Sequence, residues 1–210
     1  DRKLISEHEY DSQIAIGSLP IYFRKRLSDF SGVSSGWLKA DRKKTNAFKR
    51  KFQAKNSERI IGISWLTNSP EARSKRRNIS TNLFANCLKQ IPAKYVNLQY
   101  GNIDKALLDL SLKFGLNLSQ IDELDLFNDL DGFAALISAC DIVISIDNAT
   151  VHFAGALGVD TRVLLPFAPD DRWGVNQADS YWYTSLTLYR QKNQGDWNNP
   201  LEELLQDLGP

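Results

Sequence analysis

The sequence has few of the residues that build metal centres, disulfide frameworks or membrane spans. Its 210 residues include two cysteines, two histidines and no methionine. Two histidines are too few for a histidine-rich metal centre, and the sequence contains no Cys-x-x-Cys pair. No run approaches the roughly 18 consecutive apolar residues that a membrane span needs, and no signal-peptide pattern opens the chain. We therefore predict no bound metal and no membrane span.

The scarce residues also indicate the setting of the protein. Cys87 and Cys140 lie among apolar residues in segments that we predict to be helical, which favours buried thiols over a disulfide. Buried thiols fit a reducing compartment, so we predict a cytoplasmic location. A complete translated chain normally starts with methionine, so we expect this sequence to be a fragment or a processed product.

The charge balance excludes other classes of function. With 26 basic and 25 acidic residues the net charge is +1, which gives no reason to expect nucleic acid or an anionic membrane as the main partner. Any anion site must therefore be local. The sequence lacks G-x-G-x-x-G after a strand, G-x-x-x-x-G-K-[ST] and H-E-x-x-H, which disfavours dehydrogenases, P-loop enzymes and zinc proteases.

From residue 60 onward, short apolar runs alternate with amphipathic segments. This alternation predicts an α/β fold with a Rossmann-like, mainly parallel sheet and helices on both faces. Acids alternate in the third run, so it also fits a loop. The predicted strands are Ile60–Trp65, Tyr95–Gln99, Ile121–Leu126, Ile142–Ile146, Thr161–Leu165 and Leu186–Tyr189.

Helix ends can be predicted at three places. Ser80 is placed to cap the start of one helix, and Gly115 to cap the end of another. Near the end of the chain, Asn199 is a candidate N-cap, followed by Pro200 at the first helical position.

Residues 1–59 differ from the rest, being basic and largely without strand alternation, and we predict a helical connecting arm ahead of a domain at 60–210. The segment 18–30 is predicted as one helix and 41–55 as another. Basic residues between Arg42 and Lys55 fit a polyanion site, but a solvated helix face is the more common explanation of such a run.

The most informative stretch is DIVISIDNATVHFAGALG, residues 141–158. The run IVISI predicts a strand buried on both faces, which puts Asp147 at its carboxyl end, where open α/β sheets bind ligands. A helix start at Asn148 to Val151 would offer backbone N–H groups to a phosphate. The Asp147 carboxylate would accept hydrogen bonds from sugar hydroxyls, Thr150 can donate, and His152 can donate or act as a cation. Equally, Asp147 fits a plain N-cap and His152 a packed core histidine.

Two further clusters are predicted at the same edge of the sheet. After the first strand come Arg73, Lys75, Arg76 and Arg77, whose cations suit phosphate oxygens but also fit a solvated loop. After the second strand come Gln99 and Tyr100, which could read and stack on a nucleobase or simply form the turn that ends at Gly101. The long polar and aromatic loop 166–185 has the length of a functional loop.

Several segments resemble a known family. CDIVISIDNATVHFAGALGV, VLLPFAPDDRWG and YWYTSLTLYRQ are similar to the carboxyl-terminal domain of glycosyltransferase family 9, the heptosyltransferase-like enzymes. They most resemble the form that ends bacterial tetratricopeptide-repeat proteins. IGSLPIYFRKRLSDF, GWLKAD, IGISWLTNS and RRNIS resemble that subfamily too, so the likeness covers most of the chain from residue 14.

The resemblance implies the carboxyl-terminal half of a GT-B enzyme, in which two Rossmann-like domains face each other and this one binds a nucleotide-sugar donor. Asp147 would then hold sugar hydroxyls, the turn Asn148–Thr150 with His152 would meet the diphosphate, and Arg76 or Arg77 would neutralise the leaving group. The predicted donor-binding residues are Trp65, Arg76, Arg77, Gln99, Tyr100, Asp147, Asn148, Ala149, Thr150 and His152.

The implied reaction is an inverting transfer without metal or other cofactor, from a nucleoside diphosphate sugar to a glycan, lipid or protein. The general base is expected in an amino-terminal domain outside this chain, so the chain alone should bind donor without turnover. Family members usually carry Asp-Thr-Gly where this sequence has Asp147-Asn148-Ala149, which leaves the donor open. A non-catalytic interaction module presenting Trp173 and Tyr181–Tyr183, and a sugar-nucleotide epimerase, are the alternatives.

Overall fold

The structure, a computed structural model, describes residues 11–31, 36–52, 58–67, 76–101 and 103–209. Its contacts divide the chain into two compact units, Asp1–Val33 and Ser34–Pro210. The second unit holds the sheet described below. Helix α2, at Arg42–Phe52, lies in the segment that we predicted as a connecting arm, and its Phe52 ring is buried in the core of that unit.

The described part of the first unit contains only short helical pieces. They are a 3-10 turn at Ile16–Ser18, helix α1 at Pro20–Phe23 and a second 3-10 turn at Leu27–Phe30. The single helix predicted for residues 18–30 is wrong, because the backbone leaves helical geometry at Arg24, where φ is −141°. Ile21, Tyr22, Phe23 and Leu27 are exposed, so among the described residues they bury no face that would stabilise a longer helix.

Six parallel strands form one sheet in the second unit, and five of them lie where the sequence predicted a strand. They are β1 Ile60–Ser64, β2 Lys94–Asn97, β3 Leu118–Ser119, β4 Ile142–Ile146, β5 Asp160–Leu165 and β6 Leu186–Arg190. Their order is β3-β2-β1-β4-β5-β6, so the winding of the chain reverses between β1 and β4. This reversal is a topological switch point, and ligands of open α/β sheets bind beyond the carboxyl ends of the strands at such a point.

The third predicted strand, at Ile121–Leu126, is wrong. Strand β3 lies three residues earlier and pairs through two residues with Tyr95 and Val96 of β2. The acids that follow it form turns instead, since the Asp125 carboxylate accepts the N–H groups of Phe127 and Asn128 at 2.9 and 3.0 Å. Such local side-chain bonds compete with a strand ladder.

Helices cover both faces of the sheet, as predicted. On one face lie α2, α5 at Leu130–Ile137 and α6 at Ala149–Leu157. On the other lie α3 at Thr81–Leu88, α4 at Asp104–Leu108 and α7 at Asn198–Leu208. Successive side chains of a strand point to opposite faces of the sheet and pack in both cores. Ile142 and Ile144 of β4 pack on the second face, whereas Val143 packs on the first.

Two of the predicted helix ends are confirmed and one is wrong. The Ser80 hydroxyl accepts the N–H of Leu83 at the start of α3, and Gly115 adopts a left-handed φ of 66° after a π turn that continues α4. Helix α7 begins at Asn198, ahead of the predicted cap Asn199, because the Asp196 carboxylate accepts the N–H of Asn198.

The two outer strands are both protected. Strand β3 has only two residues. Along β6, the N–H of Leu188 donates to the carbonyl oxygen of Ala178 at 2.7 Å, and Asp179 forms an antiparallel bridge with Thr187. The loop between β5 and β6 therefore lies along the free edge of β6.

Cys87 and Cys140 are buried free thiols, as predicted, and burial raises the pKa of each to about 12. Within the described ranges, no helix has the length and apolar character needed to cross a membrane.

Candidate functional site

Asp147 follows β4 at the switch point and is only 2% exposed. The predicted alternative, in which Asp147 is a plain N-cap of the next helix, is wrong. Asn148 caps α6 instead, because its Oδ1 accepts the N–H of Thr150 at 3.0 Å. The Asp147 carboxylate is therefore not the N-cap of α6.

The side chains of Asn148 and Thr150 point into the protein. Asn148 Nδ2 donates to Ser64 Oγ of β1 at 2.8 Å, and Ser145 Oγ donates to Asn148 Oδ1 at 3.1 Å. Thr150 Oγ1 lies 3.5 Å from the same Ser64 hydroxyl and is fully buried. These bonds tie β1 to β4, so of the predicted Asn148–Thr150 turn it is Ala149 that is exposed, at the N-terminus of α6.

Arg77 joins the loop after β1 to the ends of β4 and β5. Its Nη1 donates to the carbonyl oxygen of Asp147 at 3.1 Å and lies 3.6 Å from Asp147 Oδ2, and its Nη2 lies 3.8 Å from Asp170 Oδ2. On the other side of Asp170, Arg172 Nη2 lies 3.5 Å from the same Oδ2. One carboxylate thus stands between two guanidinium groups.

Burial disfavours the ionised form of the Asp147 carboxylate. Burial raises its pKa, an effect that the nearby Arg77 charge opposes. Its Oδ2 and the buried Nε1 of Trp173 each lack a hydrogen bond of good geometry among the described residues, but the indole N–H lies close enough to the carboxylate to lower its pKa. The Asp147 carboxylate thus has an indole and a guanidinium beside it, and its Oδ2 is buried.

His152 is a neutral, packed side chain. Burial and the charge of Arg172 lower its pKa to about 4. Its ring stacks on Trp173 with centroids 5.4 Å apart, Nδ1 lies 3.2 Å from the Tyr183 hydroxyl, and Nε2 lies 3.4 Å from Arg172 Nη1. The predicted role of His152 as a cation is therefore not available near neutral pH.

Tyr183 reaches His152 because α6 has a glycine below it. A Cβ atom at Gly155 would lie 2.4 Å from Cγ of the Tyr183 ring, which is closer than carbon atoms approach. The missing side chain at Gly155 thus admits the loop between β5 and β6.

Gln99 and Trp65 have structural contacts. Gln99 is buried, and its Oε1 accepts the Ser64 hydroxyl and the N–H groups of Trp65 and Leu66, while Nε2 donates to the Tyr100 carbonyl. The Trp65 ring is fully buried against Phe84. Neither side chain presents an exposed surface to a ligand.

Two clefts flank the switch point at the carboxyl edge of the sheet. One, of about 240 Å³, lies beyond β5 and β6 and is lined by residues that include the predicted Arg76 and Arg77, together with Asp170 and Gln191. The other, of about 210 Å³, lies beyond β2 and β3. Its lining residues include Tyr100, Asp122, Asp125 and Phe127, with the Tyr100 and Phe127 rings 6.0 Å apart.

The structure thus brings Arg77, Asp147 and His152 together and leaves Arg76 exposed at the rim. Arg73 and Lys75 lie outside the described residues. In the described ranges, no group of three or more His, Cys, Asp or Glu side chains is placed to hold a metal ion.

Sequence reasoning missed Asp170 and Arg172, and it assigned Tyr183 only to an alternative interaction surface. All three lie in the long loop 166–185, whose length was the available signal. The loop was also predicted as an exposed aromatic surface, and for Trp173 this is wrong, because its indole is fully buried against His152 and Asp147.

The chain is similar in sequence to a known protein and in fold to solved structures. No family model matches the chain. It is 27% identical over 188 residues to protein FlbA of Caulobacter vibrioides, an alignment that covers 90% of this chain and 31% of FlbA.

Solved structures with a similar fold include ADP-heptose lipopolysaccharide heptosyltransferase II of E. coli, with a TM-score of 0.60 and 16% identity over 81% of this chain. A family 9 glycosyltransferase of Veillonella parvula has a TM-score of 0.57 and 13% identity over 83% of this chain. The chain spans 53% of the length of each. The fold described above is therefore one that family 9 glycosyltransferase structures contain.

Proposed function

We propose that this chain is the donor-binding domain of a glycosyltransferase, the carboxyl-terminal half of a GT-B enzyme. One observation carries the proposal: at the switch point, the Asp147 carboxylate lies 3.6 Å from the guanidinium of Arg77, beside the exposed start of α6. Carboxylates accept hydrogen bonds from sugar hydroxyls, whereas arginine and a helix N-terminus suit phosphate. The likeness to family 9 structures supports the same assignment.

The two clefts favour one orientation of the donor. The base and ribose would occupy the cleft beyond β2 and β3, where Tyr100 and Phe127 offer rings and Asp122 and Asp125 offer acceptors for hydroxyl groups. The diphosphate would lie at Ala149 with the arginines, and the sugar at Asp147. Gln99 would then support the base site from below.

In the proposed reaction, the bond between C1 of the sugar and the diphosphate oxygen breaks as an acceptor oxygen attacks C1 from the opposite face and inverts it. The acceptor proton passes to a general base in another domain of the protein. The nucleoside diphosphate leaves with the electron pair, neutralised by arginine and the helix N-terminus without a metal. The acceptor is a glycan, lipid or protein, and tetratricopeptide repeats are a proposed neighbour in the full chain.

Calorimetric titration tests this proposal. We expect one of UDP, GDP, ADP and CMP to bind selectively and its sugar derivative to bind more tightly. Asp147→Ala should weaken the sugar derivative more than the bare nucleotide, because it removes contacts to the sugar alone. Asp131→Ala, the same charge change on an exposed residue of α5, should change neither. Equal losses for both ligands in Asp147→Ala would contradict the assignment of Asp147.

A further inference from the structure

The loop between β5 and β6 supplies a second ordered guanidinium to the site. Arg172 lies beside the start of α6 and its side chain is 47% exposed, so one side of its guanidinium remains open to a ligand. Its other side is fixed twice, by Asp170 Oδ2 at 3.5 Å from Nη2 and by His152 Nε2 at 3.4 Å from Nη1. An exposed arginine with no such contacts would sample many rotamers, and ordering it on binding would cost affinity.

The contact between Arg172 and His152 defines which imidazole nitrogen carries the proton. Arginine has donors only, so His152 Nε2 must accept and must be unprotonated. The single proton of the neutral ring then lies on Nδ1, which donates to the Tyr183 oxygen at 3.2 Å. The Tyr183 hydroxyl can accept that proton and orients the ring, while the contact with the donor-only Arg172 selects the tautomer.

Asp170 gives the two arginines a common spacing. Arg77 and Arg172 approach the same carboxylate oxygen, at 3.8 and 3.5 Å, from the loop after β1 and the loop after β5 respectively. The Asp170 carboxylate attracts both guanidinium groups and so offsets the repulsion between their charges. The result is a pair of guanidinium groups that matches a ligand with two neighbouring anionic groups better than a ligand with one.

We propose that Arg172 is the second diphosphate-binding cation of the site, paired with Arg77 through Asp170 and positioned by the neutral His152 ring that Tyr183 orients. This inference rests on the proposed function for its ligand, a nucleoside diphosphate sugar. It adds a residue outside the predicted donor set and assigns His152 and Tyr183 as positioning residues that do not touch the diphosphate. Inorganic pyrophosphate and inorganic phosphate are the probes that separate two neighbouring anionic groups from one.

Binding of these probes is the first test. We expect pyrophosphate to bind more tightly than phosphate, and Arg172→Gln to lower pyrophosphate affinity roughly tenfold or more, the loss of one charge-assisted hydrogen bond. Arg50→Gln on the exposed face of α2 removes the same charge outside the site and should leave affinity unchanged. Equal affinity of the wild type and Arg172→Gln for pyrophosphate would overturn the proposal.

The tautomer of His152 can be measured directly, and it would not depend on these contacts if Arg172 had only a structural role. The sequence has two histidines, so an imidazole ¹⁵N spectrum near pH 7 contains two rings, and His152→Gln identifies its own signals. We expect His152 to carry its proton on Nδ1. Tyr183→Phe should shift the population toward Nε2–H and weaken pyrophosphate several-fold, without touching a phosphate-binding group. A proton on Nε2 in the folded wild type would overturn the positioning role.

The same titrations separate this inference from the proposed function. Nucleotide binding that is indifferent to Arg172→Gln would overturn the inference and leave the donor site intact. Pyrophosphate binding that depends on Arg172, in a protein that binds none of the nucleotides, would support the inference and contradict the proposed function. Unfolding temperatures of each variant, measured beside the affinities, show whether a loss of binding reflects a loss of fold.

Discussion

The carboxyl ends of β2 and β4 both carry a buried polar side chain, but the two are bonded differently. At the end of β2, Gln99 uses its amide oxygen for three donors and its nitrogen for a carbonyl. At the end of β4, Asp147 Oδ2 has an ion pair and no hydrogen bond within the described structure. Gln99 holds parts of the scaffold together, whereas Asp147 is the residue to which we assign a ligand contact. Both side chains are buried, so burial does not distinguish them, whereas their hydrogen bonds do.

The largest effect expected from this comparison is on stability at the end of β2. Gln99→Leu keeps the volume and leaves the N–H groups of Trp65 and Leu66 buried without acceptors, which costs roughly 1–3 kcal/mol for each group. We expect the free energy of unfolding, from urea titration, to fall by about 3–5 kcal/mol. Gln120→Leu at an exposed glutamine is the control and should stay within about 0.5 kcal/mol. A comparable loss of unfolding free energy in both variants would show that the hydrogen bonds of Gln99 contribute no particular stability.

The next effect belongs to His152, on the helix that follows β4. Its folded-state pKa of about 4 lies below the ordinary value of 6.5, so the unfolded chain takes up the proton first as the pH falls. The stability that the neutral ring contributes is complete above about pH 6.5 and is lost toward pH 4, by about 3 kcal/mol.

Urea unfolding of the wild type and His152→Gln at pH 7 and pH 5 measures this loss. The gap between the two proteins should shrink as the pH falls, because the variant lacks the titrating group. Carboxylates titrate in both proteins and cancel in that difference. A gap that stays constant between the two pH values would show that the His152 ring is not held neutral.

The smallest effect should be opposite in sign. Asp147→Asn keeps the shape and removes a charge whose burial raises its pKa, so at neutral pH we expect stability to rise by about 1 kcal/mol. The sign follows because the folded state favours the protonated carboxyl, and the ionised form therefore destabilises the fold above its raised pKa.

Thermal unfolding at pH 7, compared with sugar-nucleotide affinity, checks this prediction. Stability and binding should move in opposite directions in Asp147→Asn, since the carboxylate serves the ligand at the expense of the fold. If Asp147→Asn lowered both the unfolding temperature and the sugar-nucleotide affinity, Asp147 would have a structural role like that of Gln99.

Much of the fold could be predicted from the sequence because local composition determines it. Strand β4 lies at the predicted residues 142–146, since an uninterrupted run of β-branched residues suits a strand buried on both faces. The third strand was misplaced because its apparent alternation arises from acids that cap turns. The helix predicted for residues 18–30 failed for a related reason, as periodicity without a surface to bury it does not maintain a helix.

The candidate site was predictable only in part. Asp147 and Arg77 could be placed at one edge of the sheet because parallel strands bring their carboxyl ends together. The inward orientation of Asn148 and Thr150 could not, since their partner is Ser64, 84 and 86 residues away along the chain. The pairing of Arg172 with His152 depends in the same way on how a long irregular loop crosses α6, which no periodicity records.

The path of that loop also bears on how the protein behaves in concentrated solution. By bonding Ala178 to Leu188 and bridging Asp179 to Thr187, the loop occupies hydrogen-bonding groups on the outer edge of β6 that would otherwise template pairing with another molecule. The opposite edge, β3, is too short to serve as such a template. A loop that carries Arg172 and Tyr183 thus also guards the sheet against self-association, and variants that loosen it should be judged for aggregation as well as for binding.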